Sequence, residues 1–545
     1  MKVFDYDIRL QNQFDKYFSG ITKKNWRKWL DISSKEDFED ECLSNSGLSM
    51  DVLEKIKNIK TNPRDISIDS KMVLEPERNL EKINNLTKER LIIATHTSGT
   101  SGGNLESLKW YHFTKDLIKR LWAPGMQAIF ESSLLDRDSS AIIYLPSRIK
   151  FDGLLEIENR KLVRLYSSEF SQRLVISLIK PKSYLIDEYK NSVDLSTITK
   201  MLSMEDVSVL SAPASTILRW ADPKKLTKAL SSQKYGESEV NEELSSSKEI
   251  YQLIKNHNIE KSTKLIQNKL SELLNNTTLI MSTTSLKEKD WRMISKFLNK
   301  EKEKIRFTSL YVGSEVGPFA ASIDHSQENK NKLIVFPLTL PVIERKGNKE
   351  IISRCNNKFG NLMISRMGEQ PIINLDIGDI VFIEEKEGIP KISERIMRSG
   401  FKLKSEYEIN GYHGDYDVYT GDYFNFNDFE IVDPRSIISC LNKRIDTELN
   451  KENPLIIIDG NPNKLIIPNN QKSSSKKNFK DIFINCSSSE QIKTAFNNSK
   501  LEIEFHSIKL TPKQEHSDLL SRVRKGQLPK GILKKWQFYV LRSKN

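Results

Sequence analysis

Cysteine and histidine are scarce in this chain, and their scarcity excludes several kinds of protein. The 545 residues include 4 cysteines and 7 histidines. No two cysteines have the CxxC spacing of a zinc or redox motif, and the histidines are too few to complete a zinc set. The sequence therefore predicts neither a disulfide framework nor a structural zinc site. We expect reduced cysteines and a cytoplasmic protein.

Long apolar runs are also missing. No stretch approaches the roughly 20 residues that a membrane-spanning helix needs, so we expect no membrane span. The N-terminal sequence MKVFDYDIRLQNQF carries charges where a signal peptide has its apolar core. With 37% hydrophobic and 29% charged residues, the composition is that of a globular chain, long enough for more than one domain.

The charge balance is positive, but its distribution does not predict nucleic-acid binding. The formal net charge is +12, from 85 Lys and Arg against 73 Asp and Glu. The lysines are spread along the whole chain among nearly as many acidic residues, without a basic motif interleaved with aromatic residues. We interpret them as a lysine-rich solvated surface. A protein that binds RNA or DNA remains an alternative, favoured by charge alone.

Short apolar runs alternating with amphipathic stretches predict an α/β fold. Residues 1–85 are polar and predicted to be helical. Strands are predicted at LIIA, AIIYL, VSVLSA, TTLIM, FTSLYV and KLIVFPL, which begin at residues 91, 141, 207, 277, 307 and 332. One helical face is predicted from Trp110, Phe113, Leu117, Ile118 and Leu121. Polar stretches at 231–249 and 471–478 are predicted to be a surface insertion and a flexible loop.

The stretch THTSGTSGGN at 95–104 follows the first of these strands. Its glycines let backbone N–H groups approach a ligand, and its hydroxyls add donors of little bulk. The composition predicts a loop that wraps a polyphosphate, with a plain turn after a strand as the alternative. It is not a Walker A loop, because no Gly-Lys-Ser/Thr follows at the required spacing.

The order of this loop resembles the phosphate loop of the adenylate-forming superfamily, which includes acyl-CoA synthetases, peptide-synthetase adenylation domains and luciferases. The matching residues are Thr97, Ser98, Gly99, Thr100, Ser101 and Gly102. A second segment, SLYVGSEVG at 309–317, resembles the YGxTE box, with Val312 in place of the usual glycine. The resemblance implies that Tyr311 stacks on adenine, Ser314 holds a phosphate oxygen and Glu315 ligates Mg²⁺.

A third segment, at 359–385, resembles the GEL…PLIRYxTGD pattern in its phenylacetate–CoA ligase-like form. Asp379 would then accept both ribose hydroxyls. Beyond it the match is weaker: Arg395, or in its place Arg398, stands for the ribose-side arginine, and Asp415 or Asp417 for the hinge. The C-terminal LPKGILKKWQFYVLR at 528–542 resembles the terminal signature that carries the catalytic lysine. That lysine falls on Lys535, with Lys534 and Lys530 as alternatives and a basic amphipathic tail as the simpler interpretation.

Taken together, the resemblance implies an AMP-forming acid ligase. Such an enzyme uses ATP and Mg²⁺ to convert a small carboxylic acid to an acyl-adenylate and pyrophosphate. The acyl group then passes to coenzyme A, a carrier-protein thiol or an amine. The implied architecture is a large N-terminal domain of layered mixed sheets and helices over 1–400 and a small mobile α+β lid over 401–545. A catalytically impaired nucleotide-binding relative and an amide-forming acyl-acid ligase are the alternatives.

Overall fold

The computed structural model describes most of the chain, with gaps. The described residues are 2–49, 59–62, 65–97, 108–146, 152–189, 195–231, 250, 252, 255–256, 258–282, 286–326, 332–345, 347–355, 357–368, 371–385, 388–403, 407–445, 448–468, 476–512 and 536–544.

Helices occur along the whole described chain and are most frequent before residue 300. The α-helices are Ile8–Tyr17 (α1), Lys35–Ser46 (α2), Ser70–Leu74 (α3), Leu80–Leu86 (α4), Lys115–Leu117 (α5), Ala123–Ser132 (α6), Ser167–Ile179 (α7), Leu195–Leu202 (α8), Ala214–Ala221 (α9), Pro223–Ser231 (α10), Ile259–Leu273 (α11), Glu288–Leu298 (α12), Pro434–Leu441 (α13), Lys476–Ser487 (α14) and Glu490–Asn497 (α15). A π-helical segment, Ile118–Trp122, joins α5 to α6.

The strands fall into one large sheet and several smaller ones. Strands β1 to β14 are Val3–Asp5, Leu91–His96, Trp110–His112, Ser140–Pro146, Leu154–Ile157, Arg160–Tyr166, Ser183–Tyr189, Val207–Ser211, Thr278–Ser282, Phe307–Gly313, Gly317–Ala321, Lys332–Val335, Leu340–Arg345 and Asn348–Ile351. Strands β15 to β28 are Phe359–Arg366, Ile372–Glu385, Lys391–Ser393, Met397–Arg398, Phe401–Lys402, Tyr407–Asn410, Tyr416–Thr420, Tyr423–Asn425, Glu430–Val432, Leu455–Asp459, Asn463–Ile467, Leu501–Phe505, Lys509–Pro512 and Phe538–Ser543.

The largest sheet has 14 described strands, and its strand pairing changes from parallel to antiparallel half-way across. Its order is β1-β7-β4-β8-β9-β10-β11-β12-β17-β16-β15-β13-β14, with β18 paired to β16. The run from β1 to β10 is parallel, and the pairs from β10 onward are antiparallel. Strand β10 therefore ends where the parallel half meets the antiparallel half, and ligands commonly bind beyond the carboxyl ends of parallel strands.

Two smaller sheets form further layers, and two two-stranded sheets, β20-β27 and β22-β23, are also present. A four-stranded sheet has the order β3-β2-β6-β5, and β2 and β6 are parallel, so both end at the same edge. A six-stranded sheet, β19-β21-β28-β24-β25-β26, is built from residues after 400. The fold is therefore α/β with layered mixed sheets, as the sequence predicts.

The predicted strands are confirmed, whereas one predicted helix face is only partly right. Each of the six apolar runs forms a strand, from β2 to β12. Trp110 lies in β3 rather than in a helix, and Phe113 follows that strand, so the helix begins at Lys115. Residues 110–113 are buried one after another, which is the pattern of a strand covered on both faces.

The cysteine prediction is wrong for one pair. Cys440 on α13 and Cys486 on α14 form a disulfide across 46 residues, with Cα atoms 5.6 Å apart. Packing of these two helices brings together residues that no sequence spacing relates. Cys42 and Cys355 are free and buried. Within the described residues, no helix is long and apolar enough to cross a membrane.

A fully buried ion pair joins the N-terminal strand to helix α7. Arg173 Nη1 lies 2.9 Å from Asp5 Oδ2, and both side chains have 0% exposure. Arg173 Nε also donates to Glu169 Oε1 at 2.8 Å. We predict that Arg173→Met lowers the free energy of unfolding by about 3–5 kcal/mol, because Asp5 is left as a buried charge without compensation. Urea denaturation of the variant measures this, with Lys180→Met at the end of α7 as a matched exposed control. A loss below about 1 kcal/mol, the upper end for exposed pairs, would contradict the prediction.

Candidate active site

The YGxTE-like segment forms a tight turn at the end of β10. Ser314 and Glu315 lie between Gly313, which ends β10, and Gly317, which begins β11. Gly317 has φ +89°, and a Cβ atom there would lie 3.2 Å from the Trp122 indole. Glycine therefore permits both the left-handed backbone and the close packing that hold the turn.

Glu315 is held by a tyrosine from the other sheet. The Tyr111 hydroxyl donates to Glu315 Oε1 at 3.0 Å. Burial, followed by the charge of Glu315, raises the pKa of Tyr111, so this hydroxyl keeps its proton. Glu315 Oε2 has no hydrogen-bond partner among the described residues. One carboxylate oxygen is thus positioned, and the other is available to a cation.

Tyr111 also connects Glu315 to the start of the phosphate-loop motif. Tyr111 in β3 is the register partner of Thr95 in β2, and Thr97 N donates to Lys109 O at 3.2 Å. Thr97 therefore lies next to the strand that carries Tyr111. Ser98, Gly99, Thr100, Ser101 and Gly102 lie outside the described residues, as does Lys535.

Ser314 contacts the first residue of α7. The Ser167 and Ser314 hydroxyl oxygens are 2.8 Å apart. Ser167 directly follows β6, whose last residue, Tyr166, is the register partner of His96 at the end of β2. The N-terminus of the 13-residue helix α7 therefore lies at the same edge as the start of the loop, where its partial positive charge and free N–H groups favour an anion.

Asp379 reaches this turn from β16. The Tyr311 hydroxyl donates to Asp379 Oδ2 at 2.7 Å, which joins β10 to β16 across a separation of 68 residues. Burial raises the pKa of Asp379 above its ordinary value. The nearby charges of Glu315 and Asp422 raise it further, while the Tyr311 hydrogen bond and Arg398 act in the opposite direction. Glu315 and Asp379 therefore belong to one electrostatic cluster.

The Tyr311 side chain is buried rather than exposed to a ligand. Its exposed fraction is 7%, and its ring lies nearly perpendicular to that of Phe319, with ring centroids 5.4 Å apart. Burial, and then Asp379, raise the pKa of the Tyr311 hydroxyl well above its ordinary value. The hydroxyl is therefore a constant hydrogen-bond donor to Asp379.

The two arginines that the sequence offers for the ribose side have different surroundings. Arg398 in β18 is the register partner of Asp379, and its guanidinium lies 5.1 Å from the Phe401 ring centroid. Arg395 instead forms an ion pair with Asp433 and donates to Ser436 Oγ at 3.3 Å. Of the two, Arg398 is the one that the structure brings to Asp379.

The candidate hinge residues form local ion pairs. Lys402 Nζ lies 2.6 Å from Asp417 Oδ2, and Lys544 Nζ lies 3.0 Å from Asp415 Oδ1. Asp422 has a different position: its Oδ2 accepts from the Arg398 backbone N–H at 3.1 Å, and its Oδ1 lies 2.9 Å from Arg435 Nε. Asp422 thus fixes the strand that carries Arg398.

The donor set fits a magnesium ion bound together with a phosphate. Among the described residues, no cluster of three or more His, Cys, Asp or Glu side chains could hold a metal alone. Mg²⁺ needs no such cluster, since it is usually held by one or two carboxylates plus substrate phosphates and water. The open oxygen of Glu315 beside Ser314 is a ligand of this kind.

Comparison with known proteins finds likeness in structure only. No family model matches the sequence, and no curated protein matches it. An acyl acid amido synthetase in complex with 2,4-DB has 11% identity and a TM-score of 0.44, with 99% of each chain covered. A 2-hydroxyisobutyryl-CoA ligase in the postadenylation state has 9% identity and a TM-score of 0.42, covering 95% of this chain and 92% of that one.

A third solved structure is a malonyl-CoA ligase with methylmalonyl-CoA and AMP bound. It has 9% identity and a TM-score of 0.32, covering 76% of this chain and 70% of that one. The chain is similar to acid-activating ligases. Because all three TM-scores lie below 0.5, we assign function from the site residues alone.

Proposed function

We propose that this protein activates a carboxylic acid with ATP, forming an acyl-adenylate and releasing pyrophosphate. The observation that carries the proposal is the convergence of three hydrogen-bonded pairs at one turn. Tyr111–Glu315, Ser167–Ser314 and Tyr311–Asp379 bring residues from both sheets and from α7 together. The first two pairs also connect the turn to the β2–β6 edge, from which the phosphate-loop motif begins.

Each side chain has a role that suits its chemistry. Asp379 accepts the ribose hydroxyls, since a carboxylate is an acceptor with two oxygens. Glu315 would hold Mg²⁺, which would neutralise phosphate charge when bound. Ser314, Ser167 and the N-terminus of α7 would donate to phosphate oxygens.

One assignment chooses between two arginines that the motif leaves open, and one differs from what the motifs imply. We assign Arg398, rather than Arg395, to the ribose side, because it is the register partner of Asp379. We assign Tyr311 to the positioning of Asp379, because only 7% of it is exposed and its hydroxyl is already donated. Stacking on adenine is then left to another residue.

No general base is needed for the proposed step. A carboxylic acid with a pKa near ~4 is already ionised at neutral pH. One carboxylate oxygen forms a bond to the α-phosphorus, and the bond from that phosphorus to the bridging oxygen breaks as pyrophosphate leaves. Alignment of the two reactants and stabilisation of charge are the contributions required of the protein.

The acyl acceptor and the domain division extend the same proposal. Coenzyme A, a carrier-protein thiol and an amine are each compatible with an acyl-adenylate, so amide formation stays the second candidate. We place the boundary between a large domain, 1–400, and a lid, 401–545, at Gly400. The six-stranded sheet built after that residue supports this boundary.

Pyrophosphate exchange into ATP across a panel of carboxylic acids tests the function. We expect at least one acid to support exchange, and we expect Lys535→Ala to lower its rate by about 10²–10³-fold, the usual effect of losing one stabilising donor. Lys530→Ala and Lys534→Ala are the matched controls, with much smaller losses expected.

Two results would count against the enzyme, and a third would count against Lys535 alone. Exchange with no acid, together with intact ATP binding, would favour an impaired nucleotide-binding relative. An unchanged rate in Lys535→Ala would remove that residue from the proposal. Steep salt-dependent binding to mixed oligonucleotides without exchange would favour nucleic-acid binding.

A further inference from the structure

A cavity outside the candidate nucleotide site lies against strand β16 of the large sheet. It has a volume of about 370 Å³, and Ile380 lines it. Neither Glu315 nor Asp379 is among the residues that line it. The cavity is therefore separate from the candidate nucleotide site, although one strand contributes to both.

Three strands form the floor of this cavity in register. Glu344 in β13 pairs with Asn361 in β15, and Asn361 pairs with Ile380 in β16. Residues directly opposite each other on neighbouring strands share a face, with Cβ atoms about 5 Å apart. Glu344 and Asn361 thus present two acceptor groups side by side.

Both acceptors lack a partner in the described part of the chain. Asn361 Oδ1 is buried and accepts no hydrogen bond there. The Glu344 side chain forms neither a hydrogen bond nor an ion pair with any described residue. A buried carbonyl oxygen without a donor costs free energy, so the floor is suited to a ligand with several N–H donors.

Two positively charged side chains lie at the rim of the cavity, whereas the floor carries acceptors. The Arg345 guanidinium lies 4.5 Å from the Phe359 ring centroid, and that of Arg542 lies 5.1 Å from the Tyr419 ring centroid. A guanidinium stacked on a ring keeps its N–H edges free to bind a carboxylate. Arg542 also forms an ion pair with Asp459 at 2.9 Å. Of the two cations, Arg345 is therefore more available to a ligand.

We propose that this cavity binds a free α-amino acid. Its ammonium group, with three donors, would contact Asn361 and Glu344, and its carboxylate would contact Arg345 and Arg542. Tyr423 and Phe424 supply an apolar wall for the side chain. A nucleotide fits less well, because it offers no cation to Glu344.

The position of the cavity indicates a regulatory effect. Its floor belongs to the large sheet, while Tyr419, Tyr423 and Arg542 belong to β21, β22 and β28 after residue 400. An amino acid bound there contacts both parts and stabilises the arrangement seen in the structure. Ser399 and Gly400, which follow the strand of Arg398, also line the cavity.

The test is a binding screen of the full chain against the twenty L-amino acids, by thermal shift and then by calorimetry. We expect at least one amino acid to bind, and its N-acetyl and amide derivatives to bind at least tenfold more weakly. Asn361→Leu and Arg345→Gln should each weaken binding about tenfold, since each loses a hydrogen bond to a charged group.

Two controls separate this cavity from other sites. Arg292→Gln removes an exposed cation elsewhere, with a side chain 80% exposed, and should bind as the wild type does. Asp379→Asn should also keep amino-acid binding, which distinguishes this site from an acceptor site beside the nucleotide. Arg345→Gln is on the surface, so it remains informative if Asn361→Leu does not fold.

Several outcomes would overturn the proposal. These are binding of none of the twenty amino acids, equal binding of the blocked derivatives, wild-type affinity in both cavity variants, or displacement of the amino acid by AMP. None of these outcomes bears on pyrophosphate exchange, which tests the proposed function independently.

Discussion

Glu315→Gln is expected to lower the rate of pyrophosphate exchange by about 10²–10³-fold, the usual loss when one preorganised electrostatic group is removed. The substitution is nearly isosteric, and a glutamine oxygen can still accept from Tyr111, so the turn should keep its shape. What is lost is the negative charge on the open oxygen, and with it a hard ligand for Mg²⁺. The measurement is the exchange rate over a titration of Mg²⁺, in which the variant should need more metal.

Tyr111→Phe is the matched control for this experiment. It keeps the carboxylate and removes the hydroxyl that positions it, so we expect a smaller loss, about tenfold, in line with one neutral donor to a charged group. Equal Mg²⁺ dependence in the wild type and Glu315→Gln would show that Glu315 does not hold the metal.

Asp379→Ala is expected to weaken ATP binding by about 10²-fold or more, because two hydrogen bonds to a charged group are worth about 1.5–3 kcal/mol each. The loss should depend on the ribose. Wild-type protein should bind 2′,3′-dideoxy-ATP much more weakly than ATP, whereas the variant should bind both equally. Calorimetry with the two nucleotides measures this. A variant that still discriminates between them would contradict the role of Asp379.

The same carboxylate should make nucleotide binding depend on pH. Burial raises the pKa of Asp379, so protonation begins at a higher pH than for an ordinary aspartate. As the pH falls through the raised pKa, Asp379 loses acceptor capacity and binding should weaken, while Asp379→Asn should show no such step. The contribution of Asp379 to the free energy of unfolding has the opposite pH dependence. A raised carboxyl pKa means that the folded state binds the proton more tightly, so this group favours folding more at low pH.

Much of the fold could be predicted from the sequence because buried strands leave a local signal. The six apolar runs that became strands are short, continuous and bounded by polar residues, as expected for strands covered on both faces. The same burial misled the prediction at Trp110 and Phe113. Where every residue is buried, positions three apart also fit a helical face, and only the pairing of β3 with β2 decides between the two.

The site residues could be predicted only where they belong to sequence motifs that follow one another in the expected order. Glu315 and Asp379 stand in such motifs, but Tyr111 and Ser167 do not. Their partners are 204 and 147 residues away, and no local pattern marks such a contact. The spacing also cannot choose between Arg395 and Arg398, since both lie close to the expected position. The antiparallel register of β18 with β16 makes that choice.

The disulfide is another contact between distant residues that the sequence did not predict. Four scattered cysteines predict reduced thiols, yet α13 and α14 pack so that Cys440 and Cys486 meet. Sequence spacing reports only the contacts that are local in the chain.

A crystal structure of the protein with Mg²⁺ and a non-hydrolysable ATP analogue tests the central claim most directly. We predict that the ribose hydroxyls lie within hydrogen-bonding distance of Asp379, with the metal between Glu315 and the phosphates and the phosphates beside Ser314 and Ser167. A nucleotide bound elsewhere, or a ribose that contacts neither Asp379 nor Arg398, would contradict the account.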